Sequence, residues 1–343
     1  MKVSIPNERQ TKISFDPVPH KYYDDGGIEY TSVTTLIGKY APKFNKRYWS
    51  MYTALRDAGY KVRGDNKQYK VIYVDGIPRS LDSLYKITAA ANAVKDVTNE
   101  WTRLTNVACN RGNLIHDGLE TDINASKGDL KGESNSIIQP HQSLEGVLLK
   151  INTVEQLDDT GLQFRYPEIY KRLVWYISQD CIIYAEKRIY STAYQIAGMI
   201  DVLIVKRGTN KFAILDWKTN KDKMHFESGY YKKIKIGGKW VKSDNFIQTF
   251  DDKLHSPIEH LDNCKGVKYS LQLSLYAYVM ELWGYELVGN GLTICHIRPD
   301  MKPIFINCHY YKNEIASLLL DHYVKNVIKL EPEKPKVTFG ISA

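Results

Sequence analysis

Strand-like alternation of apolar and polar residues runs through residues 12–40, KISFDPVPHKYYDDGGIEYTSVTTLIGKY, and the turn Asp24-Asp25-Gly26-Gly27 within it predicts a hairpin. Ser32 to Thr35 read as the cap of a short helix that starts near Thr34. The basic segment 61–78 carries two turn signals and is expected to form a surface hairpin. From 81 to 121 the pattern becomes helical, with Trp101, Leu104, Val107, Leu114, Ile115 and Leu119 supplying an approximate apolar face. Residues 122–146 lose periodicity and read as a surface loop or crossing, and 165–179 are again helical.

Three short runs rich in β-branched residues come next: CIIYAEKRIY (181–190), YQIAGMIDVLIVKR (194–207) and KFAILDWKTN (211–220). Turn chemistry such as Arg207-Gly208-Thr209-Asn210 bounds them, which predicts a central sheet of mainly antiparallel character. Residues 221–268 are irregular, and their lysines gather around Gly237-Gly238 like an inserted basic hairpin. An amphipathic helix over 269–284, a strand over 291–299 and a last helix over 311–329 complete the pattern. With no internal repeat and no sharp boundary, the expectation is one α/β domain of the α+β kind over 1–343. It comprises an N-terminal hairpin and helical elaboration over 1–80 and a core over 81–330 in which a mixed sheet is flanked by helices.

Composition changes this picture little. Hydrophobic residues make up 43% and charged residues 25%, ordinary globular usage. No apolar run reaches the roughly 18 residues of a membrane span, and MKVSIPNERQTKISF lacks a signal-peptide core, so a cytoplasmic protein without a membrane partner is expected. Lys and Arg number 47 against 39 Asp and Glu, a net charge of +8 that favours a polyanionic partner. Tyrosines outnumber phenylalanines, 25 to 9, which suits stacking on bases but also follows from AT-rich codon usage. The five cysteines, Cys109, Cys181, Cys264, Cys295 and Cys308, contain no C-x-x-C pair, which argues against a disulfide framework, a zinc ribbon and an iron–sulfur cluster.

The informative chemistry is Asp201, ending Gly198-Met199-Ile200-Asp201, and Asp216-Trp217-Lys218 inside an otherwise apolar run. Charges placed beside buried strands cost several kcal/mol each unless paired or metal-bound. On a strand Asp216 and Lys218 share a face while Trp217 points the other way. A hairpin through 207–210 would bring Asp201 alongside, making a hard-oxygen site for a divalent cation with an ammonium beside it. Taken alone, the bare D-x-K is better accounted for by an Asp216–Lys218 ion pair at a sheet edge. His116 and Glu120, four apart, share one helix face, as do Gln272 and Tyr276.

In this order, Arg111-Gly112 with His116 and Glu120, Gly198 to Asp201, Asp216 to Thr219, and Gln272 with Tyr276 resemble the motifs of the PD-(D/E)XK nuclease superfamily. The resemblance is to its RecB-type exonuclease branch, which includes the mitochondrial genome maintenance exonuclease and phage exonucleases. Phe15, His20, Tyr22 and Ser32-Val33-Thr34 are similar to that branch's opening hairpin and helix. The resemblance implies a restriction-endonuclease-like core and a metal-dependent DNA exonuclease acting on single strands or ends, with one or two Mg²⁺ or Mn²⁺ ions. It implies that His116, Asp201, Asp216 and the Trp217 carbonyl hold the metal and that Lys218 orients or activates the attacking water. Glu186 is either a further metal ligand or one half of an ion pair with Lys187 or Arg188. Gln272, Tyr276 and Arg111 would contact DNA, and Lys232, Lys233 and Lys235 are candidates for its electrostatic track. The implied partners are DNA and a single-strand-binding or recombination protein, in phage or mobile-element replication or recombination. A structure-specific or nonspecific endonuclease of the same fold, and a non-catalytic nucleic-acid-binding module, remain alternatives. The segment 221–268 lengthens the interval between the D-x-K and Q-x-x-x-Y motifs, and Asn113 stands where many relatives carry Thr.

Overall fold

The computed structural model describes residues 5–9, 11–16, 19–65, 68–124, 150–158, 161–299 and 301–328. Most of the loop expected over 122–146 lies outside these residues. The chain opens with strands β1 (Ile13–Asp16), β2 (Lys21–Asp24) and β3 (Glu29–Ser32), joined antiparallel, with the predicted turn between β2 and β3. Helix α1 (Val33–Lys39) starts where Ser32 accepts from the Thr35 N–H, a cap of the expected kind. Helix α2 (Lys46–Asp57), capped by Asn45, leads into a small antiparallel sheet of β4 (Val62–Gly64), β5 (Val71–Val74) and β6 (Ile77–Ser80). Helices α3 (Leu81–Tyr85) and α4 (Thr88–Asn124) follow, the second running 37 residues.

After the short strand β7 (Lys150–Ile151) come helices α5 (Val154–Asp158), α6 (Leu162–Arg165) and α7 (Pro167–Ser178), the last with proline in its first turn. The three apolar runs are β8 (Cys181–Ser191), β9 (Ile196–Lys206) and β10 (Lys211–Lys218), successive antiparallel neighbours. The predicted insertion is a separate two-stranded hairpin, β11 (Gly229–Ile236) and β12 (Lys239–Gln248), turning at Gly237-Gly238. Helix α8 (Lys265–Leu282), strands β13 (Glu286–His296) and β14 (Ile304–Asn307), helix α9 (Lys312–His322) and a π-helical turn over Tyr323–Val327 end the described chain.

The main sheet is mixed. β3 pairs parallel with β9, and β10 pairs parallel with β13, so the N-terminal strands extend the central sheet rather than standing apart from it. One face packs on α1, α8 and α9 through Leu36, Leu271, Leu275, Ile214 and Leu319. The other packs on the end of α4 and on α7 through Leu119, Ile123, Leu173, Val202 and Leu215. A third apolar cluster, Tyr48, Met51, Ile72, Leu84 and Val94, joins α2, the small sheet and the start of α4. The apolar face expected along α4 is therefore only partly used. Leu119 is fully buried, but Leu104, Val107 and Leu114 are 51%, 56% and 73% exposed, because the helix bridges two clusters and its middle packs on neither. All five cysteines are free thiols.

Candidate active site where two strands part

The site arises from a local change in how β8 and β9 face the two layers. Ile183 and Ala185 pack on the α4 side, whereas Ile189 packs on the α8 side and Lys187 lies over Trp283 in that same cluster. Regular alternation keeps residues two apart on one face, so β8 switches face at Glu186. There the backbone takes φ +50°, left-handed and strained for a glutamate. On β9, Ile200 and Val202 likewise pack on opposite layers, which places the switch at Asp201.

Register aligns these two acids with a third. Ala185 pairs with Val202 and Lys187 with Ile200, so Glu186 stands directly across from Asp201. Leu215 also pairs with Val202, so Asp216 comes next on β10, on the other side of Asp201. At that point the ladder between β9 and β10 ends, and the Trp217 N–H donates instead to Asp201 Oδ2 at 2.7 Å. Trp217 itself points away into the α4-side cluster, as its strand position requires. The result is a row of three carboxylates across three adjacent strands, at the place where two of them separate.

Crowding like charges in a poorly solvated place raises their proton affinity. Burial and then the Asp216 carboxylate push Asp201 well above the usual carboxylate range. Burial, with Asp201, Glu120 and Asp216 behind it, does the same to Glu186, and Arg188 only partly offsets this. The one ammonium among these groups is Lys218, whose Nζ meets Asp216 Oδ2 and lies 4.9 Å from the ring centre of Tyr269. Burial works against its charge, but the Asp216 and Asp201 carboxylates outweigh burial, so the lysine holds its proton more tightly than usual. Asp216 is 1% exposed, and its Oδ1 accepts no hydrogen bond among the described residues.

Two helices close the site from opposite layers. From α4, His116 hydrogen-bonds to the Trp217 main chain, and burial with the Lys218 charge lowers its proton affinity, which favours the neutral, ligand-competent imidazole. Glu120 follows one turn later, its carboxyl raised by burial and by Asp117. Arg111 donates from Nη1 to the Thr219 carbonyl at 2.6 Å and from Nη2 to the Ile297 carbonyl at 3.3 Å, which ties α4 to the ends of β10 and β13. Gly112 permits that approach, since a Cβ there would sit 3.1 Å from Thr219 Oγ1. From α8, Gln272 Nε2 donates to the Tyr276 hydroxyl at 2.8 Å, and the buried Tyr276 lies near Asp216 and Asp201. Gly198 gives that ring its room: a Cβ would fall 2.7 Å from Tyr276 Cε1 and 3.0 Å from Val33 Cγ2.

His116, Glu186, Asp201, Asp216, Trp217, Lys218, Gln272 and Tyr276 thus share one neighbourhood. Glu186 stands across from Asp201, and among the described residues it forms no ion pair with Lys187 or Arg188, although the Arg188 charge acts on it. Arg111 holds main-chain carbonyls, and Lys232, Lys233 and Lys235 lie along the inserted hairpin on β11. Tyr269 was not apparent from sequence, although its spacing from Gln272 and Tyr276, three and seven residues, puts all three on one side of α8. Tyr22 on β2 also borders the site, close to Arg188, Glu186 and Asp201.

The donor set suits a divalent cation in type: aligned carboxylates, a neutral imidazole and an unpartnered buried oxygen on Asp216. The side chains do not converge as they stand. Among the described residues no three His, Cys, Asp or Glu side chains form a ligand group, and Lys218 and the Trp217 N–H each occupy one carboxylate oxygen. No family model matches this chain, and no curated protein or solved structure matches it.

Proposed function

We propose that this chain is a metal-dependent phosphodiesterase acting on DNA, an exonuclease with a restriction-endonuclease-like core of the PD-(D/E)XK kind. The observation that carries this reading is the row Glu186–Asp201–Asp216 with Lys218 beside it, where β9 and β10 part. A structural role gives no return for three crowded carboxylates, which cost stability unless a cation joins them. Asp201, Asp216, His116 and Glu186 would hold Mg²⁺ or Mn²⁺, which supplies charge neutralisation at the phosphate and acidifies water. Lys218, protonated and anchored over Tyr269, orients water and stabilises the charge that grows on the phosphate oxygens. In the reaction water gives up a proton to solvent as its oxygen forms a new bond to phosphorus, the bond to the leaving strand oxygen breaks, and that oxygen takes a proton from solvent. Gln272, through Tyr276, fixes one wall of the site. The net charge of +8 supports a polyanionic substrate.

A non-catalytic nucleic-acid module is the second reading, favoured by the engagement of Lys218 with Asp216 and by ligands that do not converge. A digestion time course separates the two. Linear DNA labelled at either end, single-stranded and duplex, is incubated beside a closed circle with Mg²⁺, Mn²⁺ or EDTA. Metal-dependent loss of linear DNA with the circle spared is expected. Cutting of the circle would make the enzyme an endonuclease, and tight binding without cleavage would favour the non-catalytic module.

A further inference from the structure

A cavity of about 440 Å³ lies at the root of the inserted hairpin, walled by β11 and β12, by the segment leaving β10 and by the first turns of α8. Its size suits a nucleotide. Five lysines line it, Lys223, Lys233, Lys242, Lys265 and Lys268, against two acids, Asp222 and Glu227. Asp222 is already occupied by Lys242 at 2.5 Å. Neither Lys223 nor Lys265 has an ion-pair partner among the described residues. Burial lowers the proton affinity of Lys268 and Lys233, but five lysines against two acids still leave the wall with a surplus of positive groups.

Rings stand between these charges. His225 stacks flat on Phe246 with centres 3.8 Å apart and shares a 2.7 Å hydrogen bond with Tyr231, while Lys242 Nζ lies 3.7 Å over the Tyr231 ring. Cations alternating with aromatic faces are the chemistry that receives a flexible polynucleotide, phosphates on the lysines and bases against the rings. Position points the same way. Asn220, two residues beyond Lys218, lines the cavity, and Lys268 precedes Tyr269, the residue under Lys218.

We propose that this cavity is a single-strand subsite, seating a nucleotide of the DNA strand next to the one whose phosphate meets the carboxylate row. The proposal rests on the nuclease reading and adds the polymeric, single-stranded character of the substrate at this position. The inserted hairpin then serves to build the subsite.

Fluorescence anisotropy of a labelled oligothymidylate, titrated in EDTA over a range of salt, tests it. Lys223→Gln combined with Lys265→Gln is expected to weaken binding at least tenfold and to reduce the slope of log affinity against log salt by about 1.4, two contacts at about 0.7 each. Lys211→Gln, at the opposite end of β10, is expected to change neither. Photocrosslinking of an oligonucleotide carrying 5-iododeoxyuridine should place adducts on Tyr231, His225 or Phe246. Wild-type protein that binds and cleaves DNA, with an unchanged slope in the double variant and adducts only elsewhere, would overturn the subsite and leave the nuclease reading standing. Failure of the wild-type protein to bind any oligonucleotide would overturn both.

Discussion

Asp216 and Lys218 meet at one end of the carboxylate row, and their variants should separate chemistry from binding. Asp216→Asn and Lys218→Ala are expected to reduce turnover by about 100-fold or more while DNA affinity, spread over many phosphate contacts, changes little. Single-turnover cleavage alongside anisotropy checks this, and unaffected cleavage in either variant would remove that residue from the site. Gly198 explains itself by space: Gly198→Ala drives a methyl into Tyr276 and Val33 and should cost about 1–3 kcal/mol in urea unfolding. His322, 1% exposed on α9, has its proton affinity pushed down to about 4 from an ordinary 6.5, by burial first and then by Lys39. The unfolded chain therefore binds this proton more readily. The stability it contributes is complete above about 6.5 and falls as pH drops towards about 4. Urea melts across that interval should show His322→Leu losing less stability with acidity than wild type, and parallel losses would contradict the assignment. Residue types were legible in the sequence here, because D-x-K inside an apolar run is a costly choice. The left-handed Glu186 was not legible, since no local signal announces that a strand changes face.

Boundaries of most elements follow from local chemistry, as with the Ser32 cap of α1 and the Gly237-Gly238 turn of the hairpin. Helix α4 shows where such reading stops. Its periodic Leu104, Val107 and Leu114 look like a core face, yet only tertiary placement decides which turns join a cluster, and among the described residues these three side chains join neither. Leu104→Glu and Leu114→Glu should accordingly shift stability by no more than about 0.5 kcal/mol. Leu119→Ala, in the fully buried end of the same helix, should cost about 2–5 kcal/mol. Chemical denaturation of the three variants decides between a helix buried along its length and one that spans two clusters.

Across the whole molecule, the mixed sheet organises everything else. Its antiparallel β8–β9–β10 set was readable from three apolar runs and their turns, but the parallel joins of β3 to β9 and of β10 to β13 depend on pairings distant in sequence. Those joins draw β9 and β10 to different neighbours and so open the gap that holds the carboxylates. Crowding already raises the proton affinity of Asp201 and Glu186, and on the proposed reading a cation would take the place of those protons, which links the fold to the proposed activity. Calorimetric titration of Mn²⁺ into the wild-type protein and into Asp216→Asn, without DNA, tests that link most directly. Saturable binding by the wild type that is lost in the variant is the predicted result. Absence of binding to the wild type, or equal binding to both, would contradict the account.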